Sequence, residues 1–265
     1  MKNIYLSIIS ATLLLVLTIT VSLAQNHQGY YMHIDYLHIE QSEIMNFERG
    51  VEEVIKPIQQ ARIDSEKLKE WYLYRVAFPG SRDTRYNYVA VSISNDISDF
   101  EDVHNQVIQS YDGNDMRRMM SLYFNMMAPT HSELWRINNS VLATEDAKPS
   151  RNFGMDYMDV PEGMEYAYQM MEDEVARPLH ELRMEMGNME GWELFNLITP
   201  GGSEYGYNFA TGNYLGNLRN LEFGFNEELI RISNPETNVR EFFENIEETR
   251  DLVRSELWEL VTYVK

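Results

Sequence analysis

The chain has 265 residues, no cysteine, and 42 acidic against 22 basic side chains, a formal net charge of −20. Such acidity repels phosphate backbones and argues against nucleic acid as a partner, and the missing thiol excludes disulfides, thiolate metal sites and cysteine nucleophiles. Hydrophobic residues make up 44% and aromatic residues 12%, enough for a substantial core.

The N-terminus comes first in chain order. Lys2 precedes an apolar run over residues 4–23, which ends in Ser22-Leu23-Ala24. This predicts a signal peptide over residues 1–24, cleaved after Ala24, and a secreted or periplasmic product. The run is also close to the length of an uncleaved anchor helix. No later segment approaches spanning length, so no membrane contact is expected after cleavage.

Residues 31–39 are rich in aromatic and branched side chains and predict a strand. From Ser42 the apolar positions Ile44, Phe47, Val51, Val54, Ile55 and Ile58 follow helical spacing, with Pro57 inside the pattern. A proline there loses a backbone hydrogen bond and predicts a kink. Strands follow over 69–78 and 85–94, joined by a turn at Pro79-Gly80. A helix over about 100–127, broken near Gly113, precedes a strand over 133–141.

The pattern then recurs. A shift of 121 lays residues 33–91 on 154–212 without a gap, with 12 identities that include Asp35/Asp156, Tyr36/Tyr157, Pro57/Pro178, Arg62/Arg183, Trp71/Trp192 and Asn87/Asn208. Ser132-Glu133-Leu134-Trp135 returns at a shift of 123 as Ser255-Glu256-Leu257-Trp258. The second copy predicts strands at 153–160, 191–198, 204–211 and 255–264, and helices at 163–186 and about 237–253. Between them, 213–235 reads as a polar loop with at most one helical turn. Each copy is a βαββαβ unit of ferredoxin-like type, spanning 25–147 and 148–265. Such a sheet has helices on one face only. The expected fold is therefore α+β: two tandem units packed sheet to sheet as a pseudo-dimeric α/β barrel within one chain.

In element order, duplication and the Gly191-Trp192 strand start, the sequence resembles the dimeric α/β-barrel superfamily. That group includes antibiotic-biosynthesis-type and haem-degrading monooxygenases, chlorite-dismutase-like proteins and the NIPSNAP and EthD-like families. The resemblance implies paired units and a small-molecule cavity between sheet and helices. It carries over no catalytic residue and does not fix a function.

The repeated polar residues are the candidate site. Asp35 and Asp156 sit mid-strand, where an unpartnered carboxylate is costly. Asn87 or Tyr86 is the expected neighbour of Asp35, and Asn208 or Tyr207 of Asp156, making either a ligand-orienting cluster or a structural hydrogen bond. Arg62 and Arg183 could pair with Glu53, Glu174 or the aspartates, or bind an anion. Histidine differs between the copies: His33 shares a strand face with Asp35, whereas His180 stands where the first copy has Gln59. No third ligand completes a metal site, so none is expected. His180 remains the one candidate for a haem ligand, and its ordinary alternative is a partly exposed helical residue. The four Trp residues read as core anchors. No G-x-S-x-G, G-x-G-x-x-G or phosphate-loop motif occurs.

These features favour a non-enzymatic, small-molecule-binding or structural protein acting on a small apolar or aromatic molecule. The alternatives are a monooxygenase-like or haem-handling enzyme with one active cavity, which would require asymmetry between the copies, and an envelope protein–protein interaction module.

Overall fold

A computed structural model describes residues 27–81, 84–109, 116–142, 148–202 and 204–265. The expected signal segment, the break near Gly113 and the junction between the copies lie outside the described residues.

In the first half, β1 (Tyr31–Leu37) leads to α1 (Ile44–Gly50), which passes through a π-helical turn (Val51–Ile55) into α2 (Lys56–Asp64). Strands β2 (Glu70–Ala77) and β3 (Tyr88–Ser94), helices α3 (Val103–Gln109) and α4 (Met116–Met126), and β4 (His131–Leu142) complete it. In the second half β5 (Asn152–Asp159), α5 (Glu165–Met171), a π turn (Glu172–Ala176), α6 (Arg177–Glu185), β6 (Gly191–Thr199) and β7 (Phe209–Leu215) follow. After a 3-10 turn (Leu218–Glu222), α7 (Glu227–Ser233) and α8 (Val239–Thr249) lead into β8 (Asp251–Val264).

The helical pattern changes at the prolines, where a kink was expected. Each follows a π turn and sits in the first turn of the next α segment. The helix runs on through both, with the Lys56 N–H bonded to Val51 and the Arg177 N–H to Glu172, so each proline falls where the bonding ladder shifts from π to α spacing. The turn before β7 runs longer than expected, so that strand covers 209–215 in place of 204–211. The polar stretch after it contains a 3-10 turn capped by Asn217 and the helix α7, capped by Asn226. Two side-chain caps satisfy the first N–H groups of these short segments, a signal stronger than their weak apolar pattern.

All strand pairs are antiparallel, and the eight strands close into one barrel in the order β1-β3-β2-β8-β5-β7-β6-β4. Strands from each half are contiguous, and the halves meet edge to edge at two seams, β2–β8 and β4–β6. Closure leaves no open edge. Alternation along β1 sends Met32, Ile34 and Tyr36 inward and His33 and Asp35 outward. The interior is filled by Trp135, Trp258, Phe153, Phe195 and tyrosines from both halves. Helices cover the outer face, where Trp71 packs among the first-half helices and Trp192 among those of the second. All four Trp are fully buried, as expected of anchors.

Candidate functional site

Two carboxylates of the inner strand faces, Glu133 buried and Glu256 half-buried, were read from sequence only as part of a repeat. Glu133 accepts hydrogen bonds from Tyr36 (2.6 Å), Trp135 Nε1 (3.0 Å), Tyr205 and Tyr207. Glu256 accepts from Tyr86 and from Trp258 Nε1 (2.9 Å). In both cases the Glu lies two residues before the Trp, on the same strand face, so each indole finds an acceptor. The halves exchange partners: Tyr207 serves Glu133 and Tyr86 serves Glu256. This pattern satisfies buried polar atoms and ties the halves together. At the other end of the barrel, His27 Nδ1 meets Glu193 at 2.8 Å and its Nε2 meets Glu70 at 3.6 Å. The two acids overcome the cost of burial and raise the imidazole to about 10, while His27 and Lys265 hold Glu70 at about 2 despite its burial.

The space available to a ligand lies largely outside the barrel and reaches its rim, where Tyr86, Arg254 and Glu256 line it. A cavity of about 680 Å³ opens in the second half between the outer face of β5, β7 and β8 and the helical layer. Gly154, Asp156 and Met158 of β5, and Thr211 and Asn213 of β7, form its floor. Glu172 of the π turn, His180 and Arg183 of α6, and Phe225 stand over them. The end of the β2–β3 hairpin, including Phe78 and Arg85, walls one side, so both halves contribute.

Its polar groups are unevenly satisfied. Asp156 accepts from Asn213 Nδ2 at 3.0 Å and from Ser255; burial raises its carboxyl against these partners and Arg250. Glu172 is 5% exposed, and burial pushes its carboxyl up to about 7, against the pull of Tyr168 and Arg250. Burial brings the Arg183 guanidinium down to about 10, with Asp156 opposing. Arg183 is 7% exposed; its Nη1 donates to His180 Nδ1 at 3.2 Å, and its Nε has no hydrogen-bond partner.

Among the described residues, the corresponding space in the first half is occupied by packed side chains. Helices α3 and α4 and the residue after them bring Val107, Tyr123 and Met127 into the cluster around Phe47 and Val51. There Arg62 Nε donates to Gln106 at 3.1 Å and its Nη1 to Gln59 at 3.0 Å. The polar set of the cavity is largely particular to the second half: at the shift of 121, Glu172 replaces Val51, His180 replaces Gln59, Asn213 replaces Ser92 and Gly154 replaces His33.

The structure rearranges several expectations. Asp35 and Asp156 do have matching partners, but these are Ser132 (2.5 Å to Asp35) and Ser255. Asn87 and Asn208 sit beside neither aspartate. The strand register puts Ala90 and Thr211 opposite them, and each Asn instead forms a two-way bond with the backbone of Ile39 or Val160. Tyr86 and Tyr207 point into the barrel. His33 does stand near Asp35, with Nε2 at 3.7 Å, in the closed half. Arg62 pairs with glutamines rather than acids. His180 is not partly exposed: it is buried, stacked on Trp192 at 5.1 Å and against Phe225 at 4.8 Å. Burial holds it well below the usual imidazole range.

His180 does not fit a haem iron. Arginine cannot accept a hydrogen bond, so Nδ1 is the acceptor and the neutral ring carries its proton on Nε2. A ligating imidazole needs the opposite arrangement, with a free lone pair on Nε2 and Nδ1–H donated outward. Among the described residues no group of three or more His, Asp or Glu could hold a metal ion, and no helix is long and apolar enough to cross a membrane.

No family model and no curated protein matches the sequence. Solved structures do match in fold. A monooxygenase candidate from Lactobacillus acidophilus NCFM aligns at TM-score 0.50 and 12% identity, over 90% of this chain and 97% of the other. An anthrone oxidase-like protein aligns at 0.50 and 8%, over 89% and 92%. A monooxygenase candidate from Fusobacterium nucleatum subsp. nucleatum aligns at 0.52 and 8%, over 89% and 94%. At these identities the likeness is one of fold alone, a closed eight-stranded barrel with helices outside it.

Proposed function

We propose that the protein binds one small, largely aromatic molecule in the cavity of its second half, in an exported chain built from fused ferredoxin-like units, 25–147 and 148–265. The observation that carries this reading is the asymmetry: one half fills the space over its sheet, and the other leaves about 680 Å³ lined by apolar and polar groups. That volume falls in the range of small-molecule sites. Exposed Leu218, Leu221 and Phe223 lie on the segment bordering the cavity and are read as its mouth rather than as a docking face. Titration with N-phenyl-1-naphthylamine, a neutral fluorescent aromatic, tests the proposal. It should saturate at one per chain and be lost in Gly154→Phe, where a Cβ meets nothing nearer than Asn213 Cβ at 3.6 Å. A wild-type protein with no saturable binding would overturn it.

A second reading, oxygenation of the bound molecule, is favoured by the Glu172 carboxyl at about 7 facing the cavity. A base poised near neutrality can take a proton from a weakly acidic aromatic. Two of the matched structures are monooxygenase candidates and one is anthrone oxidase-like. Oxygen uptake with anthrone that is present in the wild type and lost in Glu172→Gln would support this reading; none above buffer would remove it.

A further inference from the structure

We infer that the molecule held in this cavity is an organic anion, an aromatic carboxylate, sulfonate or phenolate, and that Arg183 is the residue that selects it. The inference rests on the cavity reading above and adds the ligand's chemical class. The duplication supplies the comparison. Arg62 and Arg183 occupy the same helical position in the two halves. Where the space is closed, a side-chain oxygen, Gln106 Oε1, comes from α3 to meet the guanidinium Nε at 3.1 Å. Where the space is open, Arg183 Nε has no partner, although the residue is more than nine-tenths buried and lines the cavity. A buried, charged N–H donor without an acceptor is costly. An oxygen from a bound molecule would do what Gln106 does in the other half.

Charge sharpens the choice of oxygen. Guanidinium and carboxylate or sulfonate form short, directional, charge-assisted bonds. Three further arginines line the cavity, Arg85, Arg250 and Arg254, and the Nε of Arg250 also has no hydrogen-bond partner. One lining acid, Glu256, pairs with Arg254 at 3.3 Å; Arg183 has no acid in contact, since Asp156 is occupied by Asn213 and Ser255 and its own hydrogen-bonded neighbour is a neutral imidazole. The aromatic lining, with Phe225 and the ring of His180, suits the flat body of such a molecule.

The test compares two probes of one skeleton, anionic 1-anilinonaphthalene-8-sulfonate and neutral N-phenyl-1-naphthylamine, on the wild type, Arg183→Met and Arg62→Met. The expected result is that Arg183→Met weakens the sulfonate by about tenfold or more, the loss of one charge-assisted bond, and changes the neutral probe by less than about twofold. Arg62→Met should leave both affinities where they were. If Arg183→Met does not fold, displacement from the wild type decides: naphthalene-2-carboxylate should displace the sulfonate and naphthalene-2-carboxamide should not. Equal affinity for both probes with no effect of Arg183→Met, or equal displacement by acid and amide, overturns the inference and leaves the cavity reading standing. Failure of both probes to bind overturns the two together.

Discussion

The two halves carry the same helix, with the same π turn, the same proline and the same arginine, over equivalent strands, yet one sets its arginine between two glutamines and the other sets it beside a histidine on a cavity wall. The shared frame is a packing solution; the differing side chains are where chemistry enters. The difference also separates what a buried polar residue does for stability from what it does for a ligand. In the closed half Arg62 is part of the core. Both guanidinium groups keep one buried nitrogen without a partner, Nη2 in Arg62 and Nε in Arg183, but only Arg183 holds its orphaned nitrogen beside an open cavity, where a ligand can complete it.

The contrast can be broken hardest by transplanting the acid. Val51→Glu puts into the filled half the residue that the open half carries as Glu172. With no cavity to receive it, it should cost about 4 kcal/mol, read as a lower urea midpoint at unchanged slope; a loss below about 1 kcal/mol would mean the first half has room that its packing denies.

Next comes pH. The folded-state pKa of Glu172, about 7, lies above its ordinary 4.5. The folded protein therefore holds a proton that the unfolded chain releases, and stability falls as pH rises from 4.5 to 7. The full penalty is about 3 kcal/mol above pH 7. Glu172→Gln should flatten that part of the stability-against-pH curve, and an unchanged slope would show that the carboxyl titrates normally.

A smaller contrast is expected from the paired arginines without ligand. Arg62→Met should cost about 2 kcal/mol by leaving Gln59 and Gln106 without their donor, whereas Arg183→Met should cost less than about 1 kcal/mol, since it leaves one acceptor, His180 Nδ1, without its donor. Thermal melts of the two variants side by side check this, and equal losses would erase the distinction. Smallest of all, Gln106→Ala should cost about 1 kcal/mol and make the first half's arginine resemble the second's.

Much of this frame was legible before the structure. Coinciding Trp, Pro and Asp-Tyr pairs carried the duplication, and alternating branched and aromatic residues carried most of the strands. The closed barrel followed from sheets with large apolar residues on both faces. The site was legible only in outline. Asp156 and His180 do line the cavity, and unequal histidines pointed to unequal halves. Glu172 was passed over, although an acid in a position that its twin fills with a core valine was a readable sign. The asparagines were misassigned because strand pairing register depends on the loop before each third strand, and those loops are longer than their turn residues suggested. The π turns were not legible, because an extra residue in a helical turn leaves the apolar spacing almost unchanged.

The two seams have a consequence for biosynthesis. The first half's β2 finds its outer neighbour only in β8, the last strand in chain order, and β4 finds its own in β6. Until those strands emerge, the first half is a four-stranded sheet with both margins bare and its aromatic inner face uncovered. It is then a template for pairing with another nascent copy. Chain order therefore sets the interval between synthesis of the first half's margins and synthesis of the strands that cover them.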